Sequence, residues 1–221
     1  IYTLSLHDAL PIYGNGYFIR MRQNGTTYRS SDNGASWSSS GTLPSASSWD
    51  GLVFGSGRFI AVSRYGNIAY SDDNGSSWTS VSGTPLSGFT NEWFGNIAYK
   101  DESIFLAMDK DGNVATATDG GTNWTVNTTK NVRNINSNYW FGAVCYGADK
   151  FVTINRSGAI AYSTDNGATW ISGGTLSGGG SWYGLTYGDG KFIALSYSGY
   201  TSVSTDGTSW TTPENSLGTS I

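Results

Sequence analysis

Short apolar runs separated by glycine-containing turns recur along the whole chain. In one such unit, GLVFG, RFIAVS and NIAYS follow one another with Gly-Ser-Gly and Tyr-Gly turns between them, and SWTSV closes the unit. Apolar runs of this length bounded by turn residues are typical of buried β-strands. We therefore predict four strands and three hairpin turns in about 40 residues, the size of a propeller blade.

The predicted strands lack an alternation of apolar and polar residues. Phe59, Ile60, Ala61 and Val62 run together, for example. A strand that is covered on both faces is apolar on both faces. Small residues at equivalent places in other units, Ala107 and Ala194, would let neighbouring blades approach closely.

Five segments, which we call boxes, repeat about 40 residues apart. They read SSDNGASW (30–37), SDDNGSSW (71–78), ATDGGTNW (117–124), STDNGATW (163–170) and STDGTSW (204–210). The third box begins with Ala117 where the others have Ser or Thr. The fifth is one residue short between Asp206 and Trp210.

The boxes resemble the Asp-box, also called the bacterial neuraminidase repeat. The resemblance implies an all-β fold, a β-propeller of about five four-stranded blades with Asp-box hairpins, and we expect a fragment of a larger ring. It does not specify a reaction, because Asp-boxes occur in sialidases, other glycoside hydrolases, sorting receptors and assembly factors. The predicted blades span roughly residues 13–46, 47–88, 89–136, 137–178 and 179–221 of the propeller region 13–221.

Residues 1–12, IYTLSLHDALPI, have no counterpart in the repeats. They resemble the translation of a widely used sequencing adapter, so we expect a non-native segment without function, including His7 and Asp8.

The box residues are predicted to be structural, because equivalent residues recur in equivalent hairpin corners. The aspartate would accept backbone hydrogen bonds, the glycine would take a left-handed conformation, and the tryptophan would fold back over the turn. These residues are Asp32, Gly34, Trp37, Asp73, Gly75, Trp78, Asp119, Gly121, Trp124, Asp165, Gly167, Trp170, Asp206 and Trp210. DKDGN (109–113) resembles the start of a calcium loop but lacks the distal Glu, so we predict a turn there, with no metal and no cofactor.

Composition and charge exclude two classes of partner. The net charge is −4, which argues against a nucleic-acid surface. No apolar run approaches the ~20 residues of a membrane span, so we predict no membrane insertion. The single cysteine, Cys145, is predicted to be a buried small residue.

Candidate ligand contacts lie in the turns between strands two and three and in the links that lead into strand one, on the side away from the boxes. Aromatic and charged groups there suit sugar recognition, although a recurring tryptophan can also simply wedge between blades. The candidates are Trp49, Arg64, Trp93, Lys110, Tyr139, Trp140, Arg156, Trp182, Tyr183 and Tyr197.

Three functions are compatible with this pattern. The first is a non-catalytic recognition or adhesion propeller that binds a glycan or a surface partner, in a bacterial surface or secreted protein or a phage tail; this reading favours an extracellular, cell-surface or virion location. The second is a sialidase-like glycoside hydrolase, for which Asp50 and Glu92 are weak catalytic candidates. The third is a structural or assembly propeller with protein partners.

Overall fold

The protein is built from five four-stranded antiparallel sheets. The computed structural model describes residues 11–45, 48–82, 96–101, 104–127, 132, 135 and 143–216. Within each sheet the strands follow one another in chain order, so each is a simple meander. The prediction of four strands per unit and of an all-β propeller is confirmed.

The sheets, which we number blades one to five in chain order, have short strands. Blade one contains β1 (Ile12–Gly14), β2 (Tyr17–Met21), β3 (Thr26–Ser30) and β4 (Ser38–Thr42). Blade two contains β5 (Trp49–Gly55), β6 (Arg58–Ser63), β7 (Ile68–Ser71) and β8 (Thr79–Ser80). Blade three contains β9 (Ile97–Lys100), β10 (Ile104–Met108), β11 (Val114–Ala117) and β12 (Thr125–Asn127).

Blades four and five repeat the same order. Blade four contains β13 (Val144–Gly147), β14 (Lys150–Ile154), β15 (Ala159–Ser163) and β16 (Ile171–Thr175). Blade five contains β17 (Trp182–Gly188), β18 (Lys191–Ser196), β19 (Tyr200–Ser204) and β20 (Glu214–Asn215). The first strand, β1, begins at Ile12, which pairs with Ile19.

The chain divides into two compact units. One comprises Ile1–Phe105 with Ala117–Thr125, and the other Leu106–Thr116 with Val126–Ile221. In the first unit, strand β6 is buried from Phe59 to Ser63, which explains why its sequence does not alternate. Ala61 is fully buried there, in a cluster with Ile19, Trp49 and Phe59.

The second unit has an equivalent core. Val152, Ile154, Trp182, Phe192 and Ala194 form its centre, and all five are buried. The core of each unit therefore lies where the second strand of one blade meets the first strands of the next, as expected for sheets stacked face to face.

The boxes supply a repeated contact between neighbouring blades. From blade two to blade five, the glycine of each box packs on strand two of the preceding blade. It lies on the residue that follows the phenylalanine of that strand. A Cβ atom added to any of these glycines would come within 2.8 Å of that side chain. The pairs are Gly75 on Ile19, Gly121 on Ile60, Gly167 on Leu106 and Gly207 on Val152.

A second repeated contact involves the aromatic residue of strand one. Its ring lies over the glycine that ends strand one of the preceding blade, so closely that no Cβ atom would fit beneath it. The pairs are Phe54 over Gly14, Tyr99 over Gly55 and Tyr187 over Gly147. Because each contact needs a residue without a side chain, these glycines are determined by packing.

Hydrogen bonds hold the box hairpins rigid. In the first box the Ser30 hydroxyl donates to Asp32 Oδ1 at 2.6 Å, and the Ser36 amide donates to the same oxygen at 2.9 Å. The hydroxyls of Ser30 and Ser36 lower the pKa of Asp32 to about 2. In the third box, which has Ala117 in place of the serine, the amide and side chain of Asn123 donate to Asp119.

The box tryptophans use their indole N–H in different ways. Those of Trp37 and Trp124 donate to the carbonyl oxygen of the glycine in their own box at 3.0 Å. That of Trp78 donates across to Thr27 Oγ1 in blade one at 3.3 Å. In blades one and three the tryptophan therefore closes its own hairpin, and in blade two it ties the hairpin to the preceding sheet.

The box contact can be tested with two glycines that share the same backbone conformation. Gly34 and Gly121 both have φ of +87°, but a Cβ on Gly34 would meet only its own Trp37 at 3.9 Å, whereas a Cβ on Gly121 would overlap buried Ile60. We expect Gly121→Ala to lower the free energy of unfolding by about 1–3 kcal/mol more than Gly34→Ala. Urea unfolding of dilute protein measures both; equal losses would contradict the contact.

Candidate functional site

The candidate residues that the structure describes lie at the end of the blades where strand two turns into strand three and where the chain enters strand one. We call this the turn end. Four of the predicted residues, Glu92, Trp93, Tyr139 and Trp140, lie outside the described residues. The remaining ones fall into two groups, one in each unit.

Trp49 and Trp182 are buried rather than displayed. Each side chain is only 1% exposed. The indole N–H of Trp49 donates to Ser45 O at 3.2 Å, and that of Trp182 donates to Gly178 O at 3.3 Å. The prediction that Trp49 and Trp182 contact a ligand is therefore wrong, because neither ring has a face available for stacking.

Backbone contacts explain why these tryptophans are wedged between blades. The amide of Trp49 donates to Gln23 O in the preceding blade, and the amide of Trp182 donates to Arg156 O. A Cβ at Gly158 would come within 3.0 Å of the Trp182 indole nitrogen. Hydrogen bonds therefore hold the segment that leads into strand one against the turn between strands two and three of the preceding blade.

The residue after each wedged tryptophan sits in a β-bulge. Trp49 pairs with Ser63 and Gly51 with Val62, so the register shifts at Asp50. The register shifts in the same way at Tyr183, between Trp182 and Gly184. A bulge redirects one side chain away from the alternation of the strand. Asp50 and Tyr183 therefore occupy equivalent positions at the turn end of blades two and five.

In blade two this position forms an ion pair. Asp50 Oδ2 lies 3.3 Å from Arg64 Nε, in the strand two–three turn of the same blade. The other oxygen, Oδ1, accepts a hydrogen bond from Gln23 Nε2 of blade one at 3.1 Å. The carboxylate of Asp50 thus connects Arg64 of its own blade with Gln23 of the preceding blade.

In blade five the equivalent position forms an aromatic pair. The rings of Tyr183 and Tyr197 lie 4.2 Å apart between centroids, tilted by 33°. Tyr183 is 39% exposed and Tyr197 64% exposed. Aromatic rings at this distance attract each other, so the two side chains hold one another in place at the surface.

Ser181 connects the tyrosine pair to an arginine. Its carbonyl oxygen accepts the Tyr197 amide at 2.9 Å, and its hydroxyl accepts Arg156 Nε at 3.1 Å. Arg156 is exposed in the strand two–three turn of blade four. We call Arg156, Ser181, Tyr183 and Tyr197 the tyrosine site. It combines two exposed rings, their hydroxyls and one cation on a rigid frame.

The sequence analysis missed Ser181 and the loop before it. Gly178, Gly179 and Gly180 all have positive φ, of 81°, 77° and 71°. Three left-handed residues in succession require glycine. The GGG triplet was a visible signal for an unusual backbone here, and the loop carries the chain into Ser181 and Trp182.

Lys110 lies in the blade-three turn that follows Asp109. Asp109 is fully buried, and its Oδ1 accepts the amides of Asp111 and Asn113 at 2.9 and 2.8 Å. Asn155 Oδ1 accepts amides in the same pattern in blade four. This geometry is that of a turn-capping residue, and among the described residues no three acidic, histidine or cysteine side chains gather to hold a metal ion.

Two further observations concern the chemistry outside the turn end. The Cys145 thiol packs against the core of the second unit, and burial raises its pKa to about 12. This shift favours the protonated thiol over the reactive thiolate. Within the part of the chain that the structure describes, no helix has the length and apolar character needed to cross a membrane.

Comparison with known proteins supports the fold. No family model matches the chain. No curated protein matches it either. Solved structures do: YCF48 bound to D1 peptide has a TM-score of 0.63 at 16% identity, over 95% of this chain and 68% of that one.

Two more solved structures show the same likeness. YCF48 from Cyanidioschyzon merolae has a TM-score of 0.57 at 16% identity, covering 92% of this chain and 70% of that one. A chain of the nidogen/laminin complex has a TM-score of 0.62 at 9% identity, covering 87% and 73%. At these identities the likeness establishes the β-propeller fold.

Asp109 makes stability depend on pH. Burial is the largest influence on its pKa and raises it above the ordinary value, although hydrogen bonds from Asn113 and Asp111 oppose the rise. Because the folded pKa exceeds the unfolded one, the neutral acid is favoured in the fold, and this contribution is lost as pH rises through the folded pKa.

We expect the stability of Asp109→Asn, relative to the wild type, to increase as the pH rises from about 4 to neutral, because only the wild type must ionise a buried carboxyl group in the folded state. Asparagine keeps an oxygen for the two backbone amides, as Asn155 does in blade four, but it cannot accept the bond that Asn113 Nδ2 donates to Asp109 Oδ2. Melting temperatures of both proteins across this pH range test the prediction. A difference that does not change with pH would contradict it.

Proposed function

We propose that the protein is a non-catalytic recognition propeller that holds a segment of a protein partner at its turn end, with the tyrosine site as the anchor. The observation that carries the proposal is the difference between two equivalent positions. Blade two places an internal ion pair there, Asp50 with Arg64, whereas blade five places two exposed tyrosines. The propeller backbone does not require an aromatic pair at this point.

The chemistry of the tyrosine site suits a protein partner. Tyrosine and arginine are enriched among the residues that dominate binding energy at protein interfaces. Each tyrosine ring offers apolar area at low cost in conformational entropy and a hydroxyl that can donate or accept a hydrogen bond. Arg156 adds a planar cation that pairs with a carboxylate.

The rigidity of the frame adds to the expected affinity. The Tyr197 amide and the Arg156 guanidinium both bond to Ser181, and the neighbouring Trp182 is buried. Side chains that are already ordered in the free protein lose less entropy on binding. Two of the similar solved structures are described as a complex with a peptide and a complex between proteins, which agrees with this use of the fold.

Glycan recognition is the second candidate, because the outward faces of Tyr183 and Tyr197 could stack on a sugar ring and Arg156 could bind a carboxylate.

The structure gives less support to the hydrolase alternative. Asp50 is one of its two candidate carboxylates, and both of its oxygens are engaged by Arg64 and Gln23. Glu92 is the other and lies outside the described residues.

Selection from a random 12-residue phage-displayed peptide library tests the proposal, with a glycan array probed in parallel. We expect enriched peptides to bind the wild-type protein and to lose about 30-fold or more in affinity with Tyr197→Ala, the size of a hot-spot loss. Tyr65→Ala is the matched control, since Tyr65 is equally exposed, at 63%, in the corresponding turn of blade two.

The outcomes separate the candidates. Peptides that bind Tyr197→Ala and wild type equally, or no enrichment at all, would contradict the proposal. Array binding that Tyr197→Ala abolishes, without peptide enrichment, would favour glycan recognition instead. Circular dichroism of the variants confirms that each remains folded.

A further inference from the structure

Five asparagines of the chain are followed directly by glycine, and three of these pairs lie inside boxes. The pairs begin at Asn15, Asn24, Asn33, Asn74 and Asn166. In the boxes, the glycine of the pair is the box glycine described above. An asparagine before glycine can deamidate without an enzyme, because glycine has no side chain to hinder attack by its own backbone nitrogen.

The deamidation reaction consumes water and releases ammonia. The glycine nitrogen loses its proton and attacks the asparagine Cγ, and the side-chain nitrogen leaves as ammonia. Water then opens the resulting cyclic imide to aspartate or to isoaspartate, in which the main chain runs through the side-chain carbonyl group. A hydrogen bond donated by the glycine amide opposes the first step, because this bond must be broken before the nitrogen can attack.

In each of the three boxes the first serine provides this hydrogen bond. The serine is buried in all three, so water does not compete for its hydroxyl group. The serine oxygen accepts the glycine amide in the same way each time: Gly34 donates to Ser30 Oγ at 2.9 Å, Gly75 to Ser71 Oγ at 2.8 Å and Gly167 to Ser163 Oγ at 2.8 Å.

Box three has neither the serine nor the asparagine. Ala117 replaces the serine, and Gly120 stands where the other boxes have the asparagine. Within the boxes of this chain, asparagine before glycine is therefore found only together with the serine hydroxyl.

Outside the boxes, the pair that begins at Asn15 lacks such a bond. It forms the two-residue turn between Gly14 and Tyr17, which pair at the end of strands β1 and β2. Among the residues that the structure describes, the Gly16 amide has no acceptor. The backbone is nearly the same as in box two, since φ is 49° at Asn15 and 58° at Asn74, and 84° and 79° at the glycines that follow them.

The remaining pair outside the boxes is bonded. The Gly25 amide, which follows Asn24, donates to Arg22 O at 2.9 Å. The pair that begins at Asn15 thus differs from the other four in the state of its glycine amide.

We propose that the first serine of a box protects the asparagine–glycine bond from deamidation, and that Asn15 is the asparagine of such a pair that deamidates first in the native protein. The protection matters because the box glycine packs on the preceding blade, as Gly75 does on Ile19. Isoaspartate one residue earlier would change the course of the main chain and move the glycine away from this contact.

Peptide mapping by mass spectrometry, during incubation of the full chain at mildly alkaline pH, tests the proposal. We expect Asn15 to deamidate about fivefold faster than Asn74, which is the effect on a rate of one net hydrogen bond. The two side chains are neighbours, since Asn15 Nδ2 donates to Asn74 Oδ1 at 2.8 Å. Gly16 is exposed and Gly75 is buried, so variants must separate burial from the hydrogen bond.

Two serines of box two make this separation. Ser71→Ala removes the acceptor of the Gly75 amide and should raise the deamidation rate at Asn74 about fivefold. Ser77→Ala is the matched control, because Ser77 also donates a hydrogen bond to Asp73 but does not accept the Gly75 amide. Equal rates at Asn74 in the two variants would overturn the proposal.

Box three allows the reverse experiment, in which protection is added. Gly120→Asn creates an asparagine–glycine pair without the serine. Gly120 has φ of +79°, a conformation that asparagine tolerates, and a Cβ there would meet only Ser56 Oγ at 3.7 Å. Adding Ala117→Ser should slow deamidation of the introduced asparagine about fivefold.

Circular dichroism confirms that each variant remains folded. A rate in box three that Ala117→Ser leaves unchanged would overturn the proposal, as would wild-type protein in which Asn15 deamidates no faster than Asn74.

Discussion

The structure depends on one contact, in which the glycine of a box packs against a side chain of strand two in the preceding blade. A four-stranded meander of this size has two apolar faces and is stable only when both are covered. The box hairpin, which hydrogen bonds to its aspartate stiffen, places the glycine against the neighbouring blade. Ile19, Ile60, Leu106 and Val152 are covered in this way. The glycine that recurs in each box is therefore explained by the contact between neighbouring blades.

The position of the contacts between blades explains why the side chains at the turn end can vary. The contacts that join blades lie in the boxes, in the strand-one rings and in the wedged tryptophans Trp49 and Trp182. The bulge residue that follows each wedge differs in its partners: Asp50 also accepts a hydrogen bond from Gln23 of blade one, whereas Tyr183 pairs with Tyr197 of its own blade. Blade two uses that position for Asp50 and an ion pair, and blade five uses it for Tyr183 and an aromatic pair. The side chain at this position can thus differ between blades while the core stays the same.

The sequence predicted the fold well because the fold is repeated. Five boxes, the glycine-bounded strands and the absence of alternation in β6 all follow from blades that are covered on both faces. The site was predicted less well. A recurring tryptophan looks the same whether it is wedged or displayed, and only its partners, Ser45 O and Gly178 O, distinguish the two. The role of Ser181 depends on residues of two different blades, which no local pattern reveals.

The most direct test of the box contact is a double-mutant cycle on Gly121 and Ile60. The clash of an alanine at 121 is with Ile60 Cδ1, the atom that Ile60→Val removes. Gly121→Ala should therefore cost less in the Ile60→Val background than in the wild type, with a coupling of about 1 kcal/mol or more in the free energy of unfolding. Additive losses would show that the two residues do not touch, and the account of how the blades are joined would fail.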